Sequence, residues 1–283
     1  MPTNSSIRLA AWNVNSIKVR LPHVIAWLES QEKAQSPIDA LCLQELKLTD
    51  DKYPHHELEQ AGYLSLTNGQ KTYNGVAILV RKASLSAMST DPQTTFLKAS
   101  KNIPNFTDEQ QRIVAATISF KETQAIRIIS AYVPNGQDPA SDKFQYKMDW
   151  LQALQVWLRD ELKANTRLAL LGDFNIAPED QDVHDPKAWE GQNLVSPQER
   201  EQFQKLLALG LHDSFRQFEQ APKSYSWWDY RMMAFRRNAG LRIDHVLLSN
   251  ALREKCMAST IDKTPRGWEQ PSDHAPVIVE IAK

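Results

Sequence analysis

The chain has 283 residues and a formal net charge of −1, and 42% of its residues are hydrophobic and 24% charged. This is the composition of an ordinary globular protein, and the near-zero charge excludes nucleic-acid binding by bulk charge alone. No apolar run approaches the roughly 20 residues of a membrane span. Two cysteines do not make a disulfide framework, and the first residues lack the apolar segment of a secretion signal, so a cytoplasmic protein is expected.

Eight apolar runs bounded by Gly, Pro or polar residues predict buried strands. In chain order they are residues 7–12, 38–43, 75–80, 112–120, 125–133, 167–171, 241–249 and 275–281. Apolar residues at helical spacing predict helices at 23–30, 148–162 and 196–210, the last with a capping box. Residues 98–111 and 176–195 are predicted as long loops. Strands and helices are mixed throughout without a linker, which predicts one α/β domain over residues 1–283.

Polar residues recur where these predicted strands end. In RLALLGDFNIAP (167–178), Asp173 and Asn175 are two residues apart and face the same way, whereas Phe174 points into the core. A single case is explained by a strand followed by an Asx turn. The same pattern nevertheless returns at other strand ends, with Asn13, Asn15, Glu45, Tyr132, Asp244, Asp273 and His274. Because strand tips at one edge of a sandwich converge in space, these side chains are predicted to form one site.

The chemistry of this set points to a divalent cation. Carboxylate and amide oxygens are hard ligands that suit Mg²⁺ or Mn²⁺. The candidate ligands are Glu45, Asp173, Asp273, Asn13 and Asn175. A zinc site is not expected, because the chain has no Cys/His cluster. Together with His274, which Asp244 could orient, and without a nucleophilic Ser or Cys motif, the set predicts metal-assisted hydrolysis of phosphate esters.

At these residues the chain resembles the exonuclease III family of DNA-repair nucleases, within the endonuclease/exonuclease/phosphatase superfamily. The matching segments are WNVNSIKVR (12–20), LQELK (43–47), YNGVAIL (73–79), AYVPNG (131–136), GDFNIAP (172–178), SWWDYR (226–231), GLRIDHVLLS (240–249) and SDHAPV (272–277). Each motif is weak alone, but all eight occur in the family's order and cover nearly the whole chain. The resemblance implies a four-layer α/β sandwich, in which two mixed β-sheets pack face to face between helices.

The resemblance also implies roles for the metal-site residues. Glu45 would be the principal metal ligand, with Asn13 and Asp273 close by. Asp173 would position or deprotonate the attacking water, and Asn175 would hold a phosphate oxygen.

Three further residues complete the implied catalytic set. His274, paired with Asp244, would face the scissile phosphate as a hydrogen-bond donor or as a base. Tyr132 would contact the phosphate or stabilise the leaving oxygen, with core packing as its alternative role. The choice between Asp173 and His274 as general base stays open. The chain departs from the family pattern at Ser16, where many members have Gly.

DNA binding is predicted for the segment RMMAFRRNAGLR (231–242), which contains four arginines and no acid. Arginines supply phosphate contacts, and apolar side chains can wedge into a groove. The predicted contacts are Trp227, Arg231, Met232, Met233, Arg236, Arg237 and Arg242, with Lys18, Arg20 and Lys71 extending the phosphate track. The resemblance implies that this segment enters the minor groove and that Trp227 lines the lesion pocket. The alternative is a plain basic surface loop.

His184 lies in a loop that directly follows the GDFN motif, at the predicted rim of the site. The resemblance implies that this loop borders the space that receives a flipped-out abasic sugar. Since flipping costs a few kcal/mol, a bulky imidazole there would hinder incision inside a duplex more than trimming of a free end. The alternative, which has equal weight, is that His184 is an ordinary surface histidine in an acidic loop.

The expected protein is therefore a Mg²⁺-dependent DNA-repair nuclease, with Mn²⁺ as an alternative cation. Its expected substrate is double-stranded DNA with 3′ ends, blocked 3′ termini or abasic sites, and a monomer is expected. One alternative is a phosphatase or phosphodiesterase of the same superfamily that acts on lipid or inositol phosphates, which the Arg/Trp-rich segment 226–242 disfavours. A second alternative is a DNA-binding protein without catalytic activity, which the filled catalytic positions disfavour.

Overall fold

The computed structural model describes residues 6–86 and 91–283. Residues 1–5, part of the N-terminal segment in which no secretion signal is expected, lie outside the described ranges. The strands are β1 Ser6–Asn13, β2 Ala40–Gln44, β3 Tyr63–Asn68, β4 Val76–Arg81, β5 Leu97–Lys101, β6 Ile113–Ile118, β7 Ile126–Tyr132, β8 Leu168–Asp173, β9 Leu211–Asp213, β10 Asp244–Ser249, β11 Cys256–Ile261 and β12 Val277–Ala282. The helices are α1 Ile17–Lys33, α2 His55–Gln60, α3 Pro92–Thr95, α4 Asp142–Ala164, α5 Pro186–Trp189, α6 Pro197–Ala208 and α7 Asn250–Arg253.

The strands form two mixed six-stranded sheets. The first has the order β11-β12-β1-β2-β4-β3, and the second has the order β5-β6-β7-β8-β10-β9. In each sheet one central pair is parallel, β1 with β2 and β7 with β8, and the neighbouring pairs are antiparallel. The sheets face each other across an apolar core, α1 covers the first sheet, and α4 and α6 cover the second. The predicted four-layer sandwich is confirmed.

Strand β8 shows why the central strands are visible in the sequence as unbroken apolar runs. Its residues Ala169 and Leu171 belong to the core between the sheets, and Leu168 and Leu170 pack towards α4. Because both faces of the strand are buried, every position is apolar instead of every second one.

The strands without a prediction are β3, β5, β9 and β11, which are the edge strands of the two sheets. Strand β5 has the sequence LKASK, with four of its five residues exposed, so it carries no apolar signal. The prediction of a loop over residues 98–111 is therefore wrong for its first four residues, which belong to β5.

The topology brings the predicted site residues together at one end of the central strands of both sheets. The parallel strands β7 and β8 end together, and β10, which is antiparallel to β8, begins at the same level. In register, Asp173 therefore lies beside Tyr132 on one side and Asp244 on the other. In the first sheet, Asn13 lies beside Gln44, so Glu45 leaves β2 at the same level as the end of β1.

Candidate active site

A buried asparagine joins the acidic residues of the two sheets. Asn13, at the end of β1, donates from Nδ2 to Glu45 Oε1 at 2.9 Å and to Asp173 Oδ2 at 2.9 Å. Tyr132, at the end of β7, donates from its hydroxyl to the same Glu45 Oε1 at 2.9 Å. Burial, reinforced by the charges of Glu45 and Asp173, raises the pKa of Tyr132 well above its ordinary value, so this phenol remains a neutral hydrogen-bond donor.

The loops that carry these acids have an unusual backbone. Glu45 has φ 53 and Lys47 has φ 56, in the left-handed region that non-glycine residues rarely adopt. Lys47 Nζ lies 2.9 Å from Glu45 Oε2, which holds the second carboxylate oxygen. Ser16 has φ 88, which explains why a glycine suits this position in the family, and its N–H donates to the Glu45 carbonyl at 2.8 Å. The backbone around Glu45 thus adopts a conformation that costs free energy and is often found at functional sites.

The turn after β8 is an Asx turn and also places Asp173 in the site, so the two interpretations of the GDFN motif are compatible. Asp173 Oδ1 accepts the Asn175 N–H at 2.9 Å, which is an Asx turn, and Phe174 is buried in the core. Asp173 Oδ2 meanwhile accepts from Asn13. Asn175 donates from Nδ2 to the Val133 carbonyl at 3.0 Å. The turn therefore fixes the carboxylate of Asp173 at the centre of the site.

His274 lies between two carboxylates. Its Nδ1 lies 2.9 Å from Asp244 Oδ2, and its Nε2 lies 3.7 Å from Asp173 Oδ2. Ser226 holds Asp244 from behind, because its hydroxyl donates to Asp244 Oδ2 at 2.7 Å. The structure thus contains the predicted His274–Asp244 pair and directs the other ring nitrogen towards the centre of the site.

The charges around His274 decide its protonation. Burial lowers the pKa of His274, but the carboxylates of Asp244 and then Asp173 outweigh this effect and raise it to about 10. Burial raises the pKa of Asp173 to about 7, with His274 opposing and Asp244 adding to the rise. At neutral pH the imidazole is therefore a charged hydrogen-bond donor, and Asp173 titrates near neutrality.

Two of these residues, Glu45 and Asp173, could hold a metal ion, with the charged His274 beside them. Ligand atoms of Glu45, Asp173 and His274 all lie within 4.8 Å of one another. Two carboxylates in a partly open site fit a hard divalent cation that keeps several waters. Asp273 lies outside this cluster, where Oδ1 accepts from Asn15 Nδ2 at 3.0 Å and Oδ2 accepts from Trp227 Nε1 at 3.0 Å.

The amide oxygens of the two asparagines already accept hydrogen bonds within the protein. Asn13 turns its amide nitrogen towards the acids, and its Oδ1 accepts the Asn15 N–H at 3.0 Å. Asn175 Oδ1 accepts from Asn135 Nδ2 at 3.1 Å. In this arrangement the amide nitrogen of Asn13 holds the two carboxylates in place, and the ligand role of Asn13 stays a prediction.

The segment that follows Trp228 is exposed, as expected for a DNA contact. Met232 and Met233 are 76% and 64% exposed, and Arg231, Arg236 and Arg237 also lie at the surface. Trp227 is half-buried and is tied to Asp273, which places it at the edge of the site.

The prediction that Arg242 contacts DNA is wrong. Its side chain is 1% exposed and pairs with Asp182 Oδ1 at 2.6 Å and Asp213 Oδ2 at 2.8 Å. Its Nη1 also lies 3.0 Å from His245 Nδ1. Arg242 therefore anchors the loop around Asp182 to the body of the protein and cannot reach a phosphate.

The remaining predicted DNA contacts, Lys18, Lys71 and Arg20, differ in how far their side chains are exposed. Lys18 and Lys71 are exposed. Arg20 is half-buried and donates from Nη1 to the Asn15 carbonyl at 2.6 Å and from Nη2 to the Pro271 carbonyl at 3.0 Å. Arg20 therefore already ties two loops of the site together.

Lys147 in α4 belongs to the site, although the sequence did not predict it. Its side chain is fully buried, and Nζ donates to the Asn175 carbonyl at 2.7 Å and the Asn135 carbonyl at 3.1 Å and pairs with Glu199. One ammonium group thus holds the two loops that carry the asparagines of the site. The available signal was its position, since Lys147 lies on the apolar face of α4, four residues before the buried Leu151.

A four-layer sandwich with a carboxylate and imidazole site at one edge defines a class of hydrolytic phosphodiesterases. Residues 10–274 match the model described as "Endonuclease/Exonuclease/phosphatase family", and the chain belongs to this family. Within the family it is a homologue of exodeoxyribonuclease III. It is 34% identical to the Haemophilus influenzae exodeoxyribonuclease III over 286 residues, which cover 97% of this chain and 100% of the relative. The family is metal-dependent, and the chain is an enzyme of its hydrolytic nuclease type.

Solved structures agree with this placement. The 3′ phosphatase NExo from Neisseria, solved with a product DNA hairpin, is 42% identical and superposes with a TM-score of 0.88, covering 98% of this chain and 100% of that one. An AP endonuclease from Archaeoglobus fulgidus is 31% identical with a TM-score of 0.85, covering 97% and 99%. Within the described ranges, no helix is long and apolar enough to cross a membrane.

Proposed function

We propose that the protein is a Mg²⁺-dependent DNA-repair nuclease of the exonuclease III type, with Mn²⁺ as an alternative cation. It would remove nucleotides and blocking phosphates from 3′ ends of duplex DNA and incise beside abasic sites. The observation that carries this proposal is the cluster of Glu45, Asp173 and His274 next to an exposed segment of arginines and methionines, residues 231–237. The 34% identity to an exodeoxyribonuclease III over nearly the whole chain disfavours a superfamily enzyme for lipid or inositol phosphates.

The residues divide the work of hydrolysis between them. Glu45 and Asp173, with Asp273 nearby, would hold the cation, which supplies charge stabilisation at the phosphate oxygens when bound. The charged imidazole of His274 would donate a hydrogen bond from Nε2 to a non-bridging phosphate oxygen. Asp173 would accept the proton of the attacking water, because His274, held between Asp244 and Asp173, stays protonated and cannot do so. The water oxygen would bond to phosphorus as the bond to the leaving oxygen breaks, and the released alkoxide would take up a proton from solvent.

Three duplexes test this proposal in one experiment. They carry an internal abasic site, a nick with a 3′-phosphate and a recessed 3′-hydroxyl, each incubated with Mg²⁺ or with EDTA. We expect Mg²⁺-dependent processing of the 3′-phosphate and the recessed end, and loss of all activity in EDTA. Hydrolysis of an inositol phosphate but of none of the duplexes would favour the superfamily alternative, and duplex binding without turnover would favour the non-catalytic one.

The exposed arginines predict a measurable salt dependence. Replacing Arg236 and Arg237 together by Ala should weaken duplex binding and reduce the slope of log K against log salt by about 1.8, since each phosphate contact contributes about 0.9. The control changes Arg159 and Lys163 to Ala, because both are exposed in the C-terminal half of α4, far along the helix from Lys147 and the site. An unchanged slope in the Arg236/Arg237 variant would show that this segment does not touch the DNA backbone.

The placement of His184 supports the proposed obstruction of internal incision. Its N–H donates to the Gly240 carbonyl at 3.1 Å, and its Nδ1 lies 3.2 Å from the same oxygen. Leu241, which follows Gly240 in the chain, forms a β-bridge with Trp227 at the edge of the site. The ring packs edge-on against Trp189 with a centroid distance of 6.3 Å. The imidazole is thus held against the segment of Gly240 and Leu241, which lies between it and Trp227.

His184→Gly is expected to raise the ratio of abasic-site cleavage to 3′-phosphate removal at least several-fold, because it removes bulk that a flipped sugar would meet. The His184→Phe variant retains a ring, so its ratio should stay near that of the parent. Both rates are measured on matched duplexes. A ratio that does not move in His184→Gly would remove His184 from the mechanism.

The proposal extends to the form and place of action of the protein. It would act as a single-domain monomer over residues 1–283, in the cytoplasm, where thiols stay reduced. The two cysteines, Cys42 and Cys256, are both unpaired, which supports a reducing compartment.

A further inference from the structure

A second cationic feature lies beside the site in the turn before the SDH motif. Arg266 is 7% exposed, and its guanidinium lies over the rings of Tyr230 and Phe235, at 5.4 and 4.9 Å from their centroids. Among the described residues, its side chain makes one hydrogen bond, from Nη2 to the Trp228 carbonyl at 3.2 Å, and its buried Nε has no partner. A buried guanidinium nitrogen without an acceptor is costly, and because Arg266 also lies at the wall of a groove, this arrangement indicates a ligand that supplies acceptor oxygens.

Arg266 lines a groove of about 180 Å³ whose other walls include Tyr230, Phe235 and Arg236. Asp229 also borders the groove, but both of its carboxylate oxygens accept from Arg231, at 3.0 and 2.6 Å. The acid is therefore already neutralised, and two guanidinium groups set the charge of the groove. Paired guanidinium groups match the oxygens of a phosphate, and the small volume suits one phosphate group better than a nucleoside.

The groove is connected to the catalytic centre through Tyr230. The Tyr230 hydroxyl accepts from Asn15 Nδ2 at 3.3 Å, and the same Asn15 nitrogen donates to Asp273 at 3.0 Å. Lys47, which pairs with Glu45, also donates to Asn15. An anion in the groove would therefore lie one side chain away from the residues that surround the scissile bond.

We propose that this groove is a phosphate subsite, in which Arg266 and Arg236 bind one phosphodiester of the DNA strand outside the catalytic centre. Met232 and Met233, both with left-handed φ values of 57 and 51, form the outer end of the same segment. Filling the groove, which Met233 also lines, would fix this segment on the DNA, while Met232 projects from it. The proposal rests on the proposed function, because it requires that the protein binds duplex DNA.

The test measures equilibrium binding of a duplex with a recessed 3′ end, in EDTA, from about 50 to about 200 mM salt. Arg266→Gln should reduce the slope of log K against log salt by about 0.9, so that the affinity ratio of parent to variant narrows by about 3.5-fold over this range. Arg167→Gln is the matched control: Arg167 is 6% exposed, also has a buried Nε without a partner, and lies at the opposite end of β8. Its slope should equal that of the parent.

A second variant and a titration with phosphate complete the test. Arg266→Lys keeps the charge but not the planar fork, so it should keep the slope and lose at least threefold in affinity. Should Arg266→Gln not fold, unchanged affinity in Arg266→Lys overturns the proposal. Calorimetric titration with orthophosphate identifies the source: if Arg266→Gln changes phosphate binding but not the DNA slope, the ligand is free phosphate and the proposed phosphodiester contact is wrong. Unchanged behaviour in both assays overturns the subsite altogether, whereas a parent protein that does not bind the duplex overturns the proposed function instead.

Discussion

Glu45→Gln is expected to lower the single-turnover rate of 3′-phosphate removal by about 10²- to 10⁴-fold at saturating Mg²⁺ while leaving the fold intact. The carboxylate of Glu45 is one of the ligands proposed for the cation, and losing metal-derived charge stabilisation costs several kcal/mol of transition-state binding. Glutamine has the same volume, and its Oε1 can still accept from Asn13 and Tyr132 as the glutamate oxygen does at 2.9 Å. The loss should therefore be chemical and not structural.

Thermal unfolding of the same variant tests that distinction. The matched control is Glu161→Gln, since the Glu161 side chain is 15% exposed and paired with Arg127, while Glu45 is 18% exposed and paired with Lys47. Glu161 lies near the C-terminal end of α4, away from the site, so its variant should keep the parental rate. Near-parental turnover of Glu45→Gln at saturating Mg²⁺ would remove Glu45 from the proposed metal site.

Asp244→Asn should reduce the rate by about a hundredfold or more with little loss of duplex affinity. Asp244 contacts His274 Nδ1 at 2.9 Å and is the main cause of the raised pKa of this imidazole. Without that charge the pKa of His274 falls, so the ring loses its proton at a lower pH and no longer donates from Nε2 with full charge. A positioned proton donor of this kind contributes about 10²- to 10⁴-fold.

The pH profile gives this prediction a signature that a folding defect would not produce. In the parent, His274 keeps its proton as the pH rises towards about 10, because its folded pKa is raised. In Asp244→Asn the residual rate should begin to fall at a lower pH than in the parent. Asp39→Asn is the control, because Asp39 is also buried and also accepts from a serine hydroxyl, that of Ser84, just before β2 begins. If duplex affinity fell as far as the rate, Asp244 would instead be a structural residue or a DNA contact.

The central part of the fold was readable from local patterns because burial on both faces of a strand demands apolar residues at every position. Strands β1, β2, β4, β6, β7, β8, β10 and β12 were all predicted, and all of them have neighbours on both sides. The edge strands were not predicted, because a strand with one free edge and a solvated face needs no continuous apolar run. The capping box of Ser196 and Glu199 was equally visible, since it depends on residues three positions apart.

The positions of Glu45, Asp173 and His274 were readable for a related reason. An acid or a histidine directly beside a buried strand must lie near the tip of that strand, whatever the tertiary structure. The sequence does not show which atom of each of these side chains faces which partner. The amide nitrogen of Asn13 points towards the acids only because β1 and β8 lie in facing sheets, and Lys147 reaches the site only because α4 packs across the second sheet.

The contrast between Arg242 and Arg266 shows where local sequence stops being informative. Arg242 stands in a basic segment and was predicted to bind DNA, yet Asp182 and Asp213, from distant parts of the chain, bury and neutralise it. Arg266 stands in no such segment, yet the folded chain encloses it, and none of the acids in the described ranges forms an ion pair with it. Periodicity and capping depend on neighbours a few residues away and can be read from the sequence, whereas the charge environment of a side chain depends on residues that only the tertiary structure brings to it.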